Sequence, residues 1–129
     1  MEPVSTSRAP GPAGHYAQAM VHGGFVFVSG QLPLDPASGE VAGGAGDIEA
    51  QTRQVLANVA AILQEAGSGL HRLVSVTVYV TSRAAWPAVN RVYTEVLGEH
   101  RPARAVIPVP ELRPGCLIEV QAVAAAGQG

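Results

Sequence analysis

The sequence predicts an α+β fold, a two-layer sandwich in which two helices cover one face of a single sheet. Strand-like and helix-like stretches follow one another in the order ββ(β)αβαββ, and two strand–helix–strand crossovers onto one sheet place both helices on the same face. The length of 129 residues leaves room for one domain. Charged residues make up only 14% of the chain, against roughly 25% in a typical soluble domain. We therefore expect other subunits to cover the second face of the sheet.

The chain is predicted to begin with a flexible tail, residues 1–8, because its proline, glycine and small polar residues bury little apolar surface. Two strands follow, over residues 16–21 and 25–32. The segment His22-Gly23-Gly24 lies between them and supplies the positive-φ residues that a tight hairpin turn needs.

Residues 33–46 are predicted to form a loop that holds at most a short strand at 40–42. The first helix should begin after Asp47, whose carboxylate can accept a hydrogen bond from the first turn as an N-cap. It should end at Gly67, a residue that tolerates the left-handed conformation after a helix. One helical face is apolar and carries Ile48, Thr52, Val55, Leu56, Val59, Ile62 and Leu63.

Residues 73–80 are rich in β-branched side chains at successive positions, which predicts a central strand covered on both faces. Pro87 suits the first turn of a second helix, and Gly98 can close it. The apolar face of that helix carries Trp86, Val89, Val92, Tyr93, Val96 and Leu97.

Two strands, residues 105–109 and 116–124, are predicted to complete the fold, and residues 126–129 form a C-terminal tail. Pro108 and Pro110 lie two positions apart, so their missing N–H groups fall on the same side of the first of these strands. That side cannot donate to a neighbour there, so this strand must be a sheet edge or leave the sheet.

The composition excludes several kinds of chemistry. All eight basic residues are arginine, which excludes a lysine Schiff base, a lysine-bound pyridoxal phosphate and a phosphate-binding loop lysine. The net charge of −2 and the absence of a basic run disfavour a nucleic-acid partner. No apolar run approaches the roughly 20 residues of a membrane span, and no signal-peptide core is visible. We therefore expect a cytoplasmic protein without a membrane partner.

Metal and nucleophilic sites are also disfavoured. The four histidines are isolated and show no i, i+4 pair, so we predict no metal ligand set. Ser29 lacks the G-x-S-x-G elbow of a serine nucleophile and fits better as a hydrogen-bonding residue at a strand end. Cys116 is the only cysteine and fits a small buried side chain better than a reactive thiol.

Arg104 and Glu119 are charged residues in strongly apolar strand contexts. Such charges must be paired, solvated in a cleft, or turned outward. They can therefore form an ion pair with each other or occupy exposed alternating positions. They can also form a site in which the guanidinium binds a carboxylate through two N–H groups while the glutamate positions or deprotonates water.

A family resemblance rests on several motifs. Residues 101–106 and 117–120, RPARAV and LIEV, resemble the signature stretch of the RidA (YjgF) family of reactive-intermediate imine deaminases. Upstream, GHYAQ at 14–18, VSGQLP at 28–33, QTRQ at 51–54 and VNRVY at 89–93 extend the correspondence. The resemblance covers residues 9–125, which we take as one RidA-like domain.

The resemblance implies a chorismate-mutase-like fold assembled as a homotrimer with clefts between subunits. It implies hydrolysis of 2-aminoacrylate-type enamines, through imines such as 2-iminopropanoate and 2-iminobutanoate, to a 2-keto acid and ammonia. No cofactor is implied. Arg104 matches the arginine that holds the substrate carboxylate, and Glu119 matches the glutamate that orients the hydrolytic water. The cleft-lining positions match Tyr16, Ser29, Gly30 and Asn90.

Three residues depart from the common family pattern. Val106 stands where many members have cysteine, and His15 and Arg113 stand where proline is common. Arg113 is either a solvated turn residue or a second cation that favours a larger or doubly acidic substrate.

The substrate can also be a different enamine or imine, such as pyrimidine-derived aminoacrylate or 2-aminomuconate. A protein of this kind can instead be a non-catalytic carboxylate-binding or chaperone-like trimer.

Overall fold

Two helices lie on one face of a six-stranded sheet in the computed structural model, which describes residues 1–127. The elements in chain order are β1 (Glu2–Val4), β2 (Ala19–His22), β3 (Phe25–Gln31), α1 (Ile48–Glu65), β4 (Leu73–Val80), α2 (Trp86–Leu97), β5 (Ala103–Pro108) and β6 (Ile118–Ala125). The strand order is β1-β2-β3-β6-β4-β5, and only β4 and β5 are parallel neighbours. This confirms the predicted two-layer α+β sandwich.

Two crossovers place the helices. Strands β3 and β4 both pair antiparallel with β6, so they run parallel to each other and α1 connects them. Strands β4 and β5 pair directly in parallel, and α2 connects them. Both helices pack against each other and share one core with the sheet, as the two predicted crossovers onto one sheet lead us to expect.

The helix ends follow the local sequence chemistry. The Asp47 side chain accepts a hydrogen bond from the Ala50 N–H at 3.0 Å and caps α1. Gly67, just beyond the helix, has a φ of 77°, and Gly98, at the end of α2, has a φ of 64°. Pro87 lies in the first turn of α2. These ends confirm the predicted helix boundaries.

The core lies between the helices and the sheet. The inward side chains of β3, β4 and β6 are almost fully buried: Val26, Val28, Val76, Val78, Val80, Ile118, Val120, Ala122 and Ala124. The opposite face, here called the open sheet face, carries Phe25, Phe27, Thr77, Tyr79, Glu119, Gln121 and Ile107. Phe25 and Phe27 are 41% and 47% exposed, so this face keeps a large apolar surface in the single chain.

Residues 1–8 do not form the flexible tail that the composition suggests. Glu2–Val4 forms β1, which pairs antiparallel with β2 and adds an edge to the sheet. Val4 is buried, and the Thr6 N–H donates to Gln18 Oε1 at 2.7 Å. The segment is ordered by backbone pairing and by the Gln18 amide, which a low apolar content does not exclude.

Several boundaries also differ from the sequence expectation, and β5 spans Ala103–Pro108 rather than 105–109. Residues 40–42 form no strand, only a single bridge between Leu34 and Val41. Strand β2 begins at Ala19 rather than at residue 16. Strand β6 begins at Ile118, because the preceding Leu117 N–H donates to Gln51 Oε1 at 2.7 Å instead of to a strand. The C-terminal tail was predicted at 126–129; the Ala126 N–H donates to Gly24 O at 2.9 Å, and residues 128 and 129 lie outside the described part.

The two predictions for β4 and β5 have different outcomes. Strand β5 is the sheet edge, as the spacing of Pro108 and Pro110 predicts. Strand β4 lies inside the sheet, but a register shift between Leu73 and Ser75 breaks its alternation. Leu73 is therefore buried while Val74 is 44% exposed, and Ser75 is exposed as well, so in the single chain this strand is not covered on both faces.

Candidate functional site

Arg104 lies on the edge strand β5 and points toward α2. It pairs with Val76 of β4, whose side chain is buried beneath the helices. The guanidinium carbon lies 4.7 Å from the centre of the Trp86 ring and 4.6 Å from that of Tyr93. Nη1 donates to Asn90 Oδ1 at 3.4 Å. No acidic side chain of residues 1–127 forms a salt bridge with Arg104, so the ion-pair alternative does not hold in the chain.

The surface beside Arg104 is concave and basic. A cavity of about 460 Å³ opens between α2 and the segment that leads into β5. Its polar lining includes Asn90, Thr94, His100, Arg101 and Arg104, and none of its lining residues is acidic. The cavity therefore suits an anionic ligand that reaches the guanidinium from solvent.

Glu119 lies on the open sheet face, where β6 places it beside Tyr79 of β4. Burial raises the pKa of the Glu119 carboxyl above its ordinary value, because a partly desolvated carboxylate is less stable. A second cavity of about 550 Å³ gathers Glu119 with Tyr16, Ser29 and Gly30. Four of the six candidate site residues named from the sequence therefore line this one cavity.

Gly30 makes room for the Glu119 carboxylate. The strand register shifts between Val28 and Gln31, which brings the backbone at Gly30 close to β6. A Cβ atom at Gly30 would overlap Glu119 Oε2 and lie 3.2 Å from Glu119 Cδ. Glycine therefore leaves space for the present position of the Glu119 carboxylate through close approach rather than through its backbone angles.

Ser29 and Tyr16 are fixed by backbone partners. The Ser29 hydroxyl donates to Ala17 O at 2.7 Å, which agrees with a hydrogen-bonding role and uses the hydroxyl hydrogen. The Tyr16 hydroxyl accepts from the Ala13 N–H at 3.3 Å, and half of this side chain is exposed. Arg113 lines a small cavity with Tyr16 and Gly30, so this departure from the family pattern lies next to the Glu119 group.

The single chain keeps the six predicted residues in two groups. Arg104 pairs with Val76 on the helix side of the sheet, whereas Glu119 pairs with Tyr79 on the open sheet face. Positions 76 and 79 differ by an odd number, so these side chains point to opposite faces of β4. Asn90 belongs to the Arg104 group. One copy of the chain therefore does not bring Arg104 and Glu119 into one cleft.

Trp86 and Tyr93 were missed as site residues in the sequence. The helical spacing assigned both residues to the apolar face of α2, and the burial of Tyr93 confirms that assignment for this residue. Positions 86, 90 and 93 nevertheless follow the i, i+4, i+7 rule of one helix face. This stripe of two aromatic side chains and one asparagine was the sequence signal that could have identified them as site residues.

The described residues contain no group of three or more His, Cys, Asp or Glu side chains placed to hold a metal ion. Cys116 is a free, buried thiol, and burial raises its pKa, which agrees with a packing role. None of the helices within residues 1–127 is both long and apolar enough to cross a membrane.

The family model described as Endoribonuclease L-PSP matches residues 6–126 of this chain. A RutC family protein of Pyrococcus abyssi (strain GE5 / Orsay) is 45% identical over 123 residues, which cover 95% of each chain. A solved structure from Thermotoga maritima MSB8, described as a candidate endoribonuclease, is 42% identical, has a TM-score of 0.92 and matches 99% of each chain.

TdcF of Escherichia coli (strain K12), named as a candidate reactive intermediate deaminase, is 35% identical over 124 residues, 94% of each chain. The crystal structure of E. coli TdcF with bound serine has a TM-score of 0.92 at 33% identity and covers 98% of this chain and 100% of that chain. Together with the family model, these relatives confirm the resemblance read from the sequence motifs. The chain belongs to the RidA/YjgF family.

Proposed function

We propose that this protein is a cofactor-free deaminase that hydrolyses small 2-imino acids, such as 2-iminopropanoate and 2-iminobutanoate, formed from 2-aminoacrylate-type enamines. The products are a 2-keto acid and ammonia. One observation carries the proposal: Arg104 is exposed, oriented by α2 and not neutralised by an acidic partner among the described residues. A guanidinium in this state is suited to bind a substrate carboxylate through two N–H groups.

The chemistry requires few groups from the protein. The imine carbon is already electrophilic, so water can attack it once it is positioned and a base accepts its proton. Glu119 is the base, since burial raises its pKa and a stronger base takes the proton of water more readily. The addition gives a carbinolamine. The nitrogen takes up the proton that Glu119 removed from water. Glu119 then moves the hydroxyl proton to the nitrogen, and the C–N bond breaks as the C=O bond forms, which releases ammonia and leaves the keto acid.

Both groups can meet only if copies of the chain assemble, because one chain holds them on opposite faces of the sheet. We propose a homotrimer in which Arg104 of one copy faces Glu119 of the next across a cleft. The exposed Phe25, Phe27 and Ile107 of the open sheet face support this assembly, because burying them between copies is favourable.

The test is to measure ammonia and keto acid release from freshly generated 2-aminoacrylate. We expect the protein to accelerate release well above the rate in buffer. Arg104→Ala is expected to lose about 1.5–3 kcal/mol of transition-state stabilisation, the range of a hydrogen bond to a charged group. A wild-type rate equal to the buffer rate contradicts the proposal.

A second candidate is a binding protein without turnover, favoured by the bound serine in the TdcF structure. It predicts carboxylate binding at Arg104 with no imine hydrolysis. A substrate panel with pyrimidine-derived aminoacrylate and 2-aminomuconate separates the possible enzyme activities.

Cleavage of RNA is a weaker candidate, because the net charge is −2 and Arg8, Arg53 and Arg91 pair with glutamates. The proposed substrates and the single cysteine suit the cytoplasm.

A further inference from the structure

The guanidinium of Arg104 is held differently from other arginines of this chain. A glutamate oxygen lies 3.8 Å from a guanidinium nitrogen of Arg8, 2.6 Å from one of Arg53 and 2.9 Å from one of Arg91. Arg104 instead lies against two aromatic rings of α2, with its guanidinium carbon 4.7 Å from the centre of Trp86 and 4.6 Å from that of Tyr93.

The kind of partner decides what remains available to a ligand. A carboxylate partner occupies the N–H edge of a guanidinium and cancels its charge. An aromatic ring attracts the cation through its electron-rich face and carries no net charge, so the positive charge of the guanidinium is not cancelled. Two such rings therefore restrict the position of Arg104 without cancelling its charge.

Tyr93 contributes its ring rather than a charge. The side chain is 7% exposed, and its hydroxyl is buried. Burial raises the pKa of the phenol, and the nearby Arg104 charge offsets only part of that increase. Tyr93 is therefore a neutral side chain at physiological pH.

Helix α2 presents these groups as one unit. Trp86, Asn90 and Tyr93 occupy positions i, i+4 and i+7 of the helix, so they lie along one face. The Asn90 oxygen accepts a hydrogen bond from Nη1 at 3.4 Å, which orients one end of the guanidinium. The rings and the amide together restrict where the guanidinium can lie.

We infer that Trp86 and Tyr93 are positioning residues that hold the Arg104 guanidinium in place for a ligand carboxylate while leaving its charge uncancelled. The inference rests on the proposed function for the identity of the substrate, an α-keto or α-imino acid. Its geometric part concerns only the arginine and the two rings. It can therefore be tested whether or not the protein turns over imines.

The first test compares Trp86→Leu and Tyr93→Leu with the conservative variants Trp86→Phe and Tyr93→Phe. Calorimetric titration with pyruvate gives the dissociation constant, and circular dichroism checks folding. We expect each leucine variant to weaken pyruvate binding by about tenfold, the scale of a partly desolvated cation–π contact, and each phenylalanine variant to recover it to within about threefold. In turnover assays the loss should appear mainly in KM.

Equal losses in the leucine and phenylalanine variants, or unchanged pyruvate binding in a folded Trp86→Leu protein, would overturn the inference. The second test needs no ligand. The Arg104 Nε–H signal, assigned by its absence in Arg104→Lys, should show a ring-current shift in the wild type and in Trp86→Phe that is clearly smaller in Trp86→Leu, where only the Tyr93 ring remains. An unshifted wild-type signal also overturns the inference, even if the deaminase assay succeeds. A shifted signal with no imine turnover supports it and counts against the proposed reaction alone.

Discussion

Gly30 leaves the space that the Glu119 carboxylate occupies, and this contact makes a residue-scale prediction. A methyl group at position 30 would meet the far end of a flexible side chain, which can swing away at little cost in folding free energy. We expect Gly30→Ala to lower kcat/KM at least tenfold, about 1.4 kcal/mol of activation free energy, while the free energy of unfolding changes by less than about 1 kcal/mol.

Thermal denaturation and imine turnover on the same preparation measure the two effects. Gly11→Ala is the matched control, because a Cβ atom at Gly11 would meet nothing within 4 Å. Wild-type turnover by Gly30→Ala would show that the carboxylate does not need its present position.

The raised pKa of Glu119 predicts a pH dependence with a defined sign. As a base, Glu119 must be ionised, so kcat/KM should fall as pH decreases through its pKa, at a pH above the ordinary glutamate range. The contribution of Glu119 to the free energy of unfolding changes in the opposite direction and becomes more favourable as pH decreases. Because the folded pKa exceeds the unfolded one, the charged form is penalised in the native state above the folded pKa, and the penalty disappears as pH falls toward the unfolded value.

Glu119→Gln should therefore abolish turnover and raise the melting temperature at neutral pH, with a smaller gain at acidic pH where the wild-type carboxyl is already protonated. Melting curves of both proteins across this range provide the measurement. An equal shift at all pH values would assign the effect to packing rather than to ionisation.

The sequence identified Arg104 and Glu119 because isolated charges in apolar strands are rare and because their motifs resemble a family. It missed Trp86 and Tyr93 as partners of Arg104. Apolar periodicity reports that a side chain faces inward, but not whether the ring meets an aliphatic core or a cation. That distinction depends on β5 lying beside α2, a contact far apart in sequence.

At the scale of elements, Gln51 links α1 to two connecting segments. Its side chain is fully buried, its Nε2 donates to Gly44 O at 3.1 Å and to Gly115 O at 3.0 Å, and its Oε1 accepts from the Leu117 N–H at 2.7 Å. This one amide therefore anchors the loop before α1 and the turn before β6, the strand that carries Glu119.

We expect Gln51→Leu to lower the free energy of unfolding by about 3 kcal/mol or more, since each buried backbone group left without a partner costs about 1–3 kcal/mol. Denaturant unfolding measures the change. Gln64→Leu, an exposed position on the same helix, should change stability by less than about 0.5 kcal/mol. Equal effects in the two variants would contradict the anchoring role.

Element boundaries were predictable where local chemistry decides them. Asp47, Gly67 and Gly98 define helix ends through capping and left-handed backbone, and the spacing of Pro108 and Pro110 identifies an edge strand. The strand β1 was not predictable in this way. Its order comes from pairing with β2 and from the Gln18 amide, which are contacts beyond the reach of local composition.

For the whole molecule, the division of the site between two sheet faces predicts complementation between inactive variants. Arg104→Ala and Glu119→Gln should each be inactive alone. After denaturation together at equal amounts and refolding, random trimers should recover about a quarter of wild-type activity, because each cleft needs an intact Arg104 from one copy and an intact Glu119 from its neighbour.

Light scattering on the refolded mixture establishes the oligomeric state, and refolded single variants serve as controls. No recovery in a mixture that is trimeric would indicate that both groups come from the same copy. Recovery would also locate the clefts, since it requires β5 of one copy to face the open sheet face of another.

The contact between Trp86 and Arg104 has a practical consequence. Trp86 is the only tryptophan in the chain, and its ring lies 4.7 Å from the carbon of the guanidinium whose N–H groups bind the carboxylate in our proposal. Its emission therefore arises beside the binding group and nowhere else in the protein. The molecule contains a native optical probe, so occupancy of each cleft can be followed in real time without a label.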